Sequence, residues 1–479
     1  MKKRGASTAS LIGTLIVGLL IGAGITYVAG PSLGIGGTAT TTIAGGGTAT
    51  TTIAGGATTQ FVTTTVTTGA AQASGLCNGQ TVTIGALNDL SGGLSSQGKG
   101  DLAAEQLAIQ DVNAYTKLAG CSLTFALNSQ DYKLDTPTAL SELTAMHAQG
   151  IQVVVGPLNS GTAAGILNYA DSNHIVLISP SSTSIALAIP NDYLFRTVPN
   201  DAAQGQADAK ELLASGAKAV IVVNRDDTYG DGLANSTVTW LKLDDPSIVI
   251  GGPTKYDATT SDFTSVISTM NSEYTTLSNQ VGAANVAIYV VAFQEYGSIL
   301  SQTNTQAPTL LSTKLPWYGM DGIAQNNDLS NSSTNVASIA AKVGVYSTLF
   351  GVLSNNTKAQ AFFHRIHGTP AEAVILGGGA FYTFEGYDDV WLAALSIISA
   401  GQNSGTAIQA ILPTVATNFY GLTGAETLNA AGDRALFAGG GYNIWKVVSN
   451  GASSWEWILA GQWDYATNTV SWTSGNAPA

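Results

Sequence analysis

Residues 151–184 read IQVVVGPLNSGTAAGILNYADSNHIVLISPSSTS, and this stretch decides the fold class. Val153, Val154 and Val155, then Ile175, Val176, Leu177 and Ile178, are short apolar runs bounded by turn residues, the pattern of strands buried on both faces. A helix separates them, so the stretch reads strand, loop, helix, strand, loop, the unit of a parallel sheet with right-handed crossovers. After each strand comes a cluster of small residues and hydroxyls: Asn159-Ser160-Gly161-Thr162, then Ser179-Pro180-Ser181-Ser182-Thr183. In an open α/β sheet the loops beyond the carboxyl ends of neighbouring strands line the ligand crevice. A small-molecule site is therefore expected here.

The same alternation extends in both directions. Upstream, the body begins at Cys77 with a strand over 81–86, and a helix over 99–118 puts Ala104, Leu107, Ala108, Val112 and Tyr115 on one face. A second strand covers 122–127. Asp135-Thr136-Pro137 opens a helix with Thr136 as N-cap and Pro137 at its first position, and Gly150 closes it. Downstream, a helix from Asp201 to Ser215 restarts the pattern, with strands over 219–224, 248–251 and 286–291 and helices through Trp240 and over 263–280. This second run predicts a second α/β lobe. The segments 342–348 and 382–400 and the Gly- and Trp-rich tail exceed what a closing helix needs, so the chain is expected to cross back between lobes. A length of 479 residues is ample for two cores.

Composition narrows the function. Only 10% of residues are charged and the formal net charge is −13, which excludes nucleic acid as a partner, because phosphates demand clustered Lys and Arg. An apolar content of 45% argues against disorder. A surface built from Ser, Thr, Asn and Gln suits an acidic exterior, where carboxylates lose their charge.

Lys2-Lys3-Arg4 precedes an uncharged run over 11–28 that would span about 27 Å as a helix. Residues 1–30 read as a signal or anchor helix with three fates open: an uncleaved anchor, a cleaved secretory signal, or an archaeal prepilin-like signal cut near Arg4-Gly5. Each exports the body. Residues 31–76 carry a tandem decapeptide, TATTTIAGGG then TATTTIAGGA, in a Thr/Gly-rich linker that cannot bury a core. Its threonines are either O-glycan carriers or part of a bare spacer.

Few residues suggest reaction chemistry. Cys77 and Cys121 precede consecutive strands, so a disulfide is preferred over two free buried thiols in an exported chain. Gly93-Leu94-Ser95-Ser96-Gln97-Gly98-Lys99 has phosphate-loop spacing, but Gly100 stands where Ser or Thr would hold magnesium, and a Gly-rich turn facing the crevice is the better reading. His364 and His367 share a helical segment at i, i+3, and such a pair without a nearby carboxylate ligand is read as a solvated or packed helix face more than as a metal site. The body from Cys77 onward has no Gly-x-Ser-x-Gly elbow and no activated thiolate, so neither an enzyme nor a cofactor is expected. Binding remains: Ser160 and Thr162 at a helix start favour an anion, Ser181, Ser182 and Thr183 add hydroxyls, and Asp321 can receive a cation. Asn235, Asn331 and Asn355 begin N-glycosylation sequons.

The motif order resembles the type I solute-binding proteins of ABC transporters, specifically the branched-chain amino-acid binding group with its amide and urea relatives. The matching pieces run from Ile84-Gly85-Ala86 and Leu90-Ser91-Gly92 through Val155-Gly156-Pro157-Leu158-Asn159-Ser160 to Ile178-Ser179-Pro180-Ser181-Ser182-Thr183 and Phe195-Arg196-Thr197. Tyr229-Gly230-Asp231-Gly232, Phe263-Thr264 and Gly319-Met320-Asp321-Gly322 follow in order. The resemblance implies two Rossmann-like lobes of the periplasmic-binding-protein type I class joined by three crossovers, with 77–199 and 347–436 in lobe 1 and 200–346 and 437–479 in lobe 2. It implies that the loops at Ser160 and Ser181, Ser182 and Thr183 hold a carboxylate, that Tyr229 closes over the ligand with Phe293 nearby, and that Asp321 meets an ammonium. Gln97 stands where amino-acid binders place an aromatic wall, and Asp321 is one methylene shorter than their Glu, so a more polar ligand such as an amide is also open. The implied function is a surface-tethered, extracytoplasmic receptor, anchored in the membrane through its N-terminal helix, that passes amino acids or related solutes to an ABC permease. An adhesive or filament-associated scaffold is the alternative, and a sensor ectodomain is less favoured because no second membrane segment follows the body.

Overall fold

The computed structural model describes the backbone of residues 37–43, 47–53 and 64–67, and residues 75–478 apart from 313–315, 332–334, 352–355, 437–439 and 452–453. The run over 11–28 lies outside the described residues, and among those described no helix is long and apolar enough to cross a membrane. The chain divides into two compact units, 1–74 and 75–479. In the first, the expected coreless spacer carries strands: β1 (Gly37–Ile43) and β2 (Gly47–Ile53), one from each decapeptide, pair antiparallel with Gly37 opposite Ile53, and β3 (Thr64–Thr67) adds to β2. Runs of β-branched Thr and Ile favour extended backbone without needing a core.

The second unit has two α/β lobes. In the first, β4 (Thr81–Asn88), β5 (Thr124–Asp131), β6 (Val153–Val155), β7 (Val176–Ser179) and β8 (Leu194–Arg196) form a fully parallel sheet in the order β5-β4-β6-β7-β8. Successive residues point to opposite faces, which is why the strands read as continuous apolar runs. Val153, Val155, Val176 and Ile178 pack on α1 (Ser95–Leu118), α11 (Ala380–Ala400) and α12 (Gly405–Thr417), whereas Val154 and Leu177 pack on α2 (Thr136–Ala148) and α3 (Ser160–Asn173).

In the second lobe, β9 (Ala219–Arg225), β10 (Val249–Tyr256), β11 (Val286–Val291), β12 (Trp317–Gly319) and β13 (Tyr346–Phe350) are parallel in the order β10-β9-β11-β12-β13. The tail then adds β14 (Gly441–Gly451), β15 (Ser454–Asp464) and β16 (Thr469–Trp472) antiparallel. Ile221, Val223, Ile288 and Val290 face α6 (Thr264–Val281), α7 (Glu295–Gln306) and α8 (Asn335–Val343). Val220, Val222, Tyr289 and Val291 face α4 (Asp201–Ala214) and α5 (Thr228–Asp244). The chain passes between the sheets after β8, after β13 into α9 (Thr357–Ile366) and α10 (Pro370–Gly377), and after α12. The expected break at 346/347 falls at the start of β13, whose pairing with β12 and β14 keeps it in the second sheet as far as Phe350.

Local readings need three corrections. α2 is capped by Asp135, whose carboxylate accepts from the Thr138 N–H at 2.9 Å, so Thr136 is the first helical residue and not the N-cap. α1 begins at Ser95, so Gly93 lies in the expected turn but Gly98 is helical; a Cβ on Gly98 would lie 2.0 Å from the Asp89 carbonyl oxygen, and glycine is what lets helix and loop touch. His364 lies within α9 but His367 is its C-cap, and His367 Nδ1 lies 2.9 Å from Glu372 Oε1 at the surface.

Cys77 and Cys121 are joined, with Cα atoms 4.8 Å apart, just ahead of the paired strands β4 and β5. The bridge closes a loop with a sequence separation of 44. Replacing both cysteines with serine is expected to lower the unfolding free energy by about 2–4 kcal/mol in urea titrations. No change would mean that β4–β5 pairing already restrains the denatured chain.

Many acids are fully buried. Burial pushes Glu105 and Asp208 up to about 8 and Glu426 up to about 7. A carboxyl whose folded pKa lies above its unfolded value holds its proton better in the native state, so its contribution is full below the unfolded pKa and lost as pH rises through the folded one. Stability should therefore fall between about pH 5 and about pH 8, and thermal melting should give the higher Tm at the acid end. A higher Tm at pH 8 would overturn this reading.

Candidate functional site

The two hydroxyl loops of 151–184 meet at Ser160. It opens α3, where the first-turn N–H groups lack helical partners, and its Oγ accepts from the N–H groups of Thr183 and Ser184, each at 3.1 Å. The second loop is held from behind by Arg196 at the end of β8. Its guanidinium donates to the carbonyls of Ser182 (3.0 Å) and Ser184 (2.7 Å) and pairs with Asp433 at 2.6 Å. Both partners are buried, so the ion pair is a fixed strut and not a surface contact.

A narrow cleft opens in front of these loops. From the first lobe it is lined by Gln97, Ser160 and Ser181, and from the second by Tyr229, Phe293 and Asp321. Six of the expected positions thus meet in one cavity. Thr162, Ser182 and Thr183 are not among its lining residues, and all three are buried. Ser181 donates its hydroxyl to the Leu158 carbonyl at 2.9 Å and accepts from Gln97 Nε2 at 2.7 Å, so Gln97 fixes that hydroxyl in place.

The opposite wall comes from three strand ends of the second lobe. Tyr229, at the start of α5, stacks on Phe293 just after β11, with centroids 5.0 Å apart and planes 16° apart. The Arg225 guanidinium lies 3.9 Å from the Phe293 centroid and is itself held by Asp227 and Glu295, both at 2.6 Å. Asp321, after β12, is 5% exposed. It accepts from the Tyr229 hydroxyl at 2.5 Å and from the Tyr382 hydroxyl on α11. Burial raises the Asp321 pKa above the usual carboxylate range, and the hydrogen bonds from Tyr229 and Tyr382 pull it partly back. Burial and the neighbouring Asp321 push both phenols well above their ordinary values, so they stay protonated donors. Behind them Asp201, fully buried at the first crossover, is pushed well up by burial and then by Asp321. Among the described residues, no basic side chain lines the cleft. Its chemistry is one buried acid facing hydroxyls and a helix N-terminus, suited to a cation at one end and an anion or carbonyl at the other.

Tyr382, Gln294 and Asn326 escaped the sequence reading. Tyr382 follows Asp321 by sixty-one residues on the returning segment, and no local pattern announces the pairing. Among the sequons, Asn235 and Asn331 are exposed and Asn355 lies outside the described residues. Thr237 of the first sequon is buried, its hydroxyl 2.7 Å from that of Tyr289.

A family model described as "Periplasmic binding protein" matches residues 81–426. An uncharacterized protein of Methanocaldococcus jannaschii is 30% identical over 411 residues, covering 82% of this chain and 91% of that protein. The leucine-specific-binding protein of Salmonella typhimurium is 25% identical over 261 residues, 53% of this chain and 65% of its own. Among solved structures, the branched-chain amino acid binding protein LivJ of Streptococcus pneumoniae, in complex with isoleucine, superimposes with a TM-score of 0.58 at 23% identity, over 79% of this chain and 99% of that one.

Proposed function

The chain belongs to the periplasmic binding protein family, and from that membership we propose that it is an extracytoplasmic receptor that binds an amino acid or a closely related amide between its lobes and delivers it to an ABC permease. The observation that carries the proposal is the placement of buried Asp321, with Tyr229 and Tyr382 on its oxygens, in one cleft with Ser160 at the N-terminus of α3. A zwitterion needs this arrangement: an acid for its ammonium, and hydroxyls with free N–H groups for its carboxylate. Tyr229 and Phe293 form the closing lid of the second lobe, and Gln97 and Ser181 orient the first-lobe rim. Hinging at the crossovers admits the solute. The N-terminal segment over 11–28 tethers the receptor to the membrane. Solute-binding proteins of this family are not enzymes, and the cleft is read as a binding site.

Calorimetry of the full chain against amino acids, amides, urea and short peptides tests the reading. Micromolar or tighter binding of at least one amino acid or amide is expected, and silence across the panel would favour the scaffold alternative. Affinity for an amino acid should also fall with acidification. The ammonium requires an ionised Asp321, whose raised pKa makes protonation begin at a higher pH than in an exposed carboxylate. Titrations between about pH 4 and about pH 8 read this, and an affinity constant across the range would remove Asp321 from ligand contact.

A further inference from the structure

The cleft does not end at Asp321. A second, adjoining chamber shares Leu94, Gln97, Asp321 and Gly322 with the first and continues toward Ser96, Gln294 and Asn326. It lies between the start of α1, the loop before α7, the loop after β12 and the junction of α10 with α11. Two glycines shape that junction. A Cβ on Gly377 would lie 2.2 Å from Asn327 Nδ2, and one on Gly378 would lie 2.8 Å from the Ser96 carbonyl oxygen. The returning segment therefore approaches α1 by backbone alone and forms the far wall.

The polar groups of this chamber are only half used. Gln294 donates through Nε2 to Ser96 Oγ at 3.0 Å, a hydrogen bond that joins the lobes, and among the described residues its Oε1 has no hydrogen bond. Asn326 accepts through Oδ1 from the Asp328 N–H at 2.8 Å, and its carbonyl accepts from Trp457 Nε1 at 2.9 Å; its Nδ2 is likewise unused. Gln97 Nε2 is spent on Ser181 and Asp101, so among the described residues the chamber offers two amide acceptors, Gln97 Oε1 and Gln294 Oε1, and one amide donor, Asn326 Nδ2. Among the described residues, Asp321 is its only charged lining residue.

Resting on the receptor reading above, we infer that the ligand is an amino acid whose side chain ends in a neutral carboxamide, with glutamine the representative probe. Its α-ammonium meets Asp321, and its side chain enters the second chamber. There the carboxamide N–H donates to Gln294 Oε1 and its carbonyl accepts from Asn326 Nδ2. An aliphatic side chain would desolvate both amides without replacing their bonds to water. A carboxylate side chain would find no cation and would face Asp321.

The experiment is calorimetry on the full chain with glutamine, leucine and glutamate, repeated on Gln294→Leu/Asn326→Leu and on Asp321→Ala, with thermal melts to establish that each variant folds. Glutamine should bind the unaltered chain about tenfold or more tighter than leucine or glutamate, the scale of one or two hydrogen bonds. The double variant should lose that preference while still binding leucine, and Asp321→Ala should weaken every amino acid. Leucine binding tighter than glutamine, with both lost in Asp321→Ala, would overturn the side-chain inference and leave the receptor reading standing. A glutamine preference that persists in a folded double variant would overturn it too. Silence toward all three ligands in the unaltered chain would overturn the side-chain inference, while the receptor reading would fall only with silence across the wider panel of amino acids, amides, urea and short peptides.

Discussion

Arg434→Ala is expected to lower the unfolding free energy by about 3–5 kcal/mol at neutral pH, the largest stability loss foreseen for a single side chain here. Arg434 is fully buried, with Glu385 on its Nη1 and Glu426 Oε1 3.2 Å away. It also donates to the carbonyls of Thr423 (2.8 Å) and Thr197 (3.1 Å), and the Phe350 ring lies 5.1 Å from its guanidinium. Glu385, Asp388 and Glu426 have oxygens close enough together to suggest a metal site, but the guanidinium already supplies the positive charge they need. Without it, three acids remain buried with no counter-charge. Burial raises Glu426 to about 7 and Asp388 to about 6, so both are protonated near pH 5 and the variant's deficit should shrink there. Urea titrations at both pH values check this, and an equal loss at both would show that the arginine acts through its neutral hydrogen bonds. Because Thr197 belongs to the first crossover and Arg434 lies just ahead of the third, the same side chain ties two hinge strands together.

Asp321→Ala is expected to weaken binding of an amino-acid ligand by about 2–5 kcal/mol, roughly thirtyfold to several thousandfold. Much of that loss is the ligand ammonium left buried without a partner. Asp321→Asn separates charge from shape, because the amide oxygen can still accept from one phenol while the negative charge is gone. It should fold as well as the parent and lose most of the same affinity. Calorimetry of both variants reads the outcome, and full affinity in Asp321→Asn would show that the site recognises a neutral group at that end. The alanine variant also leaves the hydroxyls of Tyr229 and Tyr382 buried without their acceptor, a stability cost of about 1–3 kcal/mol that a melt separates from ligand affinity.

The hydroxyl loops and Asp321 were legible because each follows a strand recognisable from its own residues, whereas Tyr229 and Phe293 were named only through the resemblance of their motifs to the solute-binding family; the fold class places all such strand ends on one rim. Thr162, Ser182 and Thr183 looked equivalent to Ser160 and Ser181 in sequence. Which hydroxyl of a loop faces the cleft depends on how Arg196 and Ser160 pull its backbone, and both contacts come from outside the loop. The capping error at Thr136 has a local cause: Asp135 and Thr136 are both good caps, and the residue that stays extended wins.

By itself the sequence pointed to two α/β lobes, hydroxyl-rich loops at strand ends, and a disulfide at neighbouring strand entries, while the resemblance supplied the placement of the acid that faces those loops. Those properties follow from periods of two and 3.6 residues and from turn chemistry, which are written within a few residues of one another. Only the tertiary structure decided that Tyr382 shares Asp321 with Tyr229, that Gln294 and Asn326 extend the cleft, and that Arg434 neutralises a buried trio of acids. Each of these contacts spans at least one passage between the lobes or brings distant segments into one desolvated space. Their strength comes from exclusion of water, a property of the assembled interior that no short stretch of chain possesses.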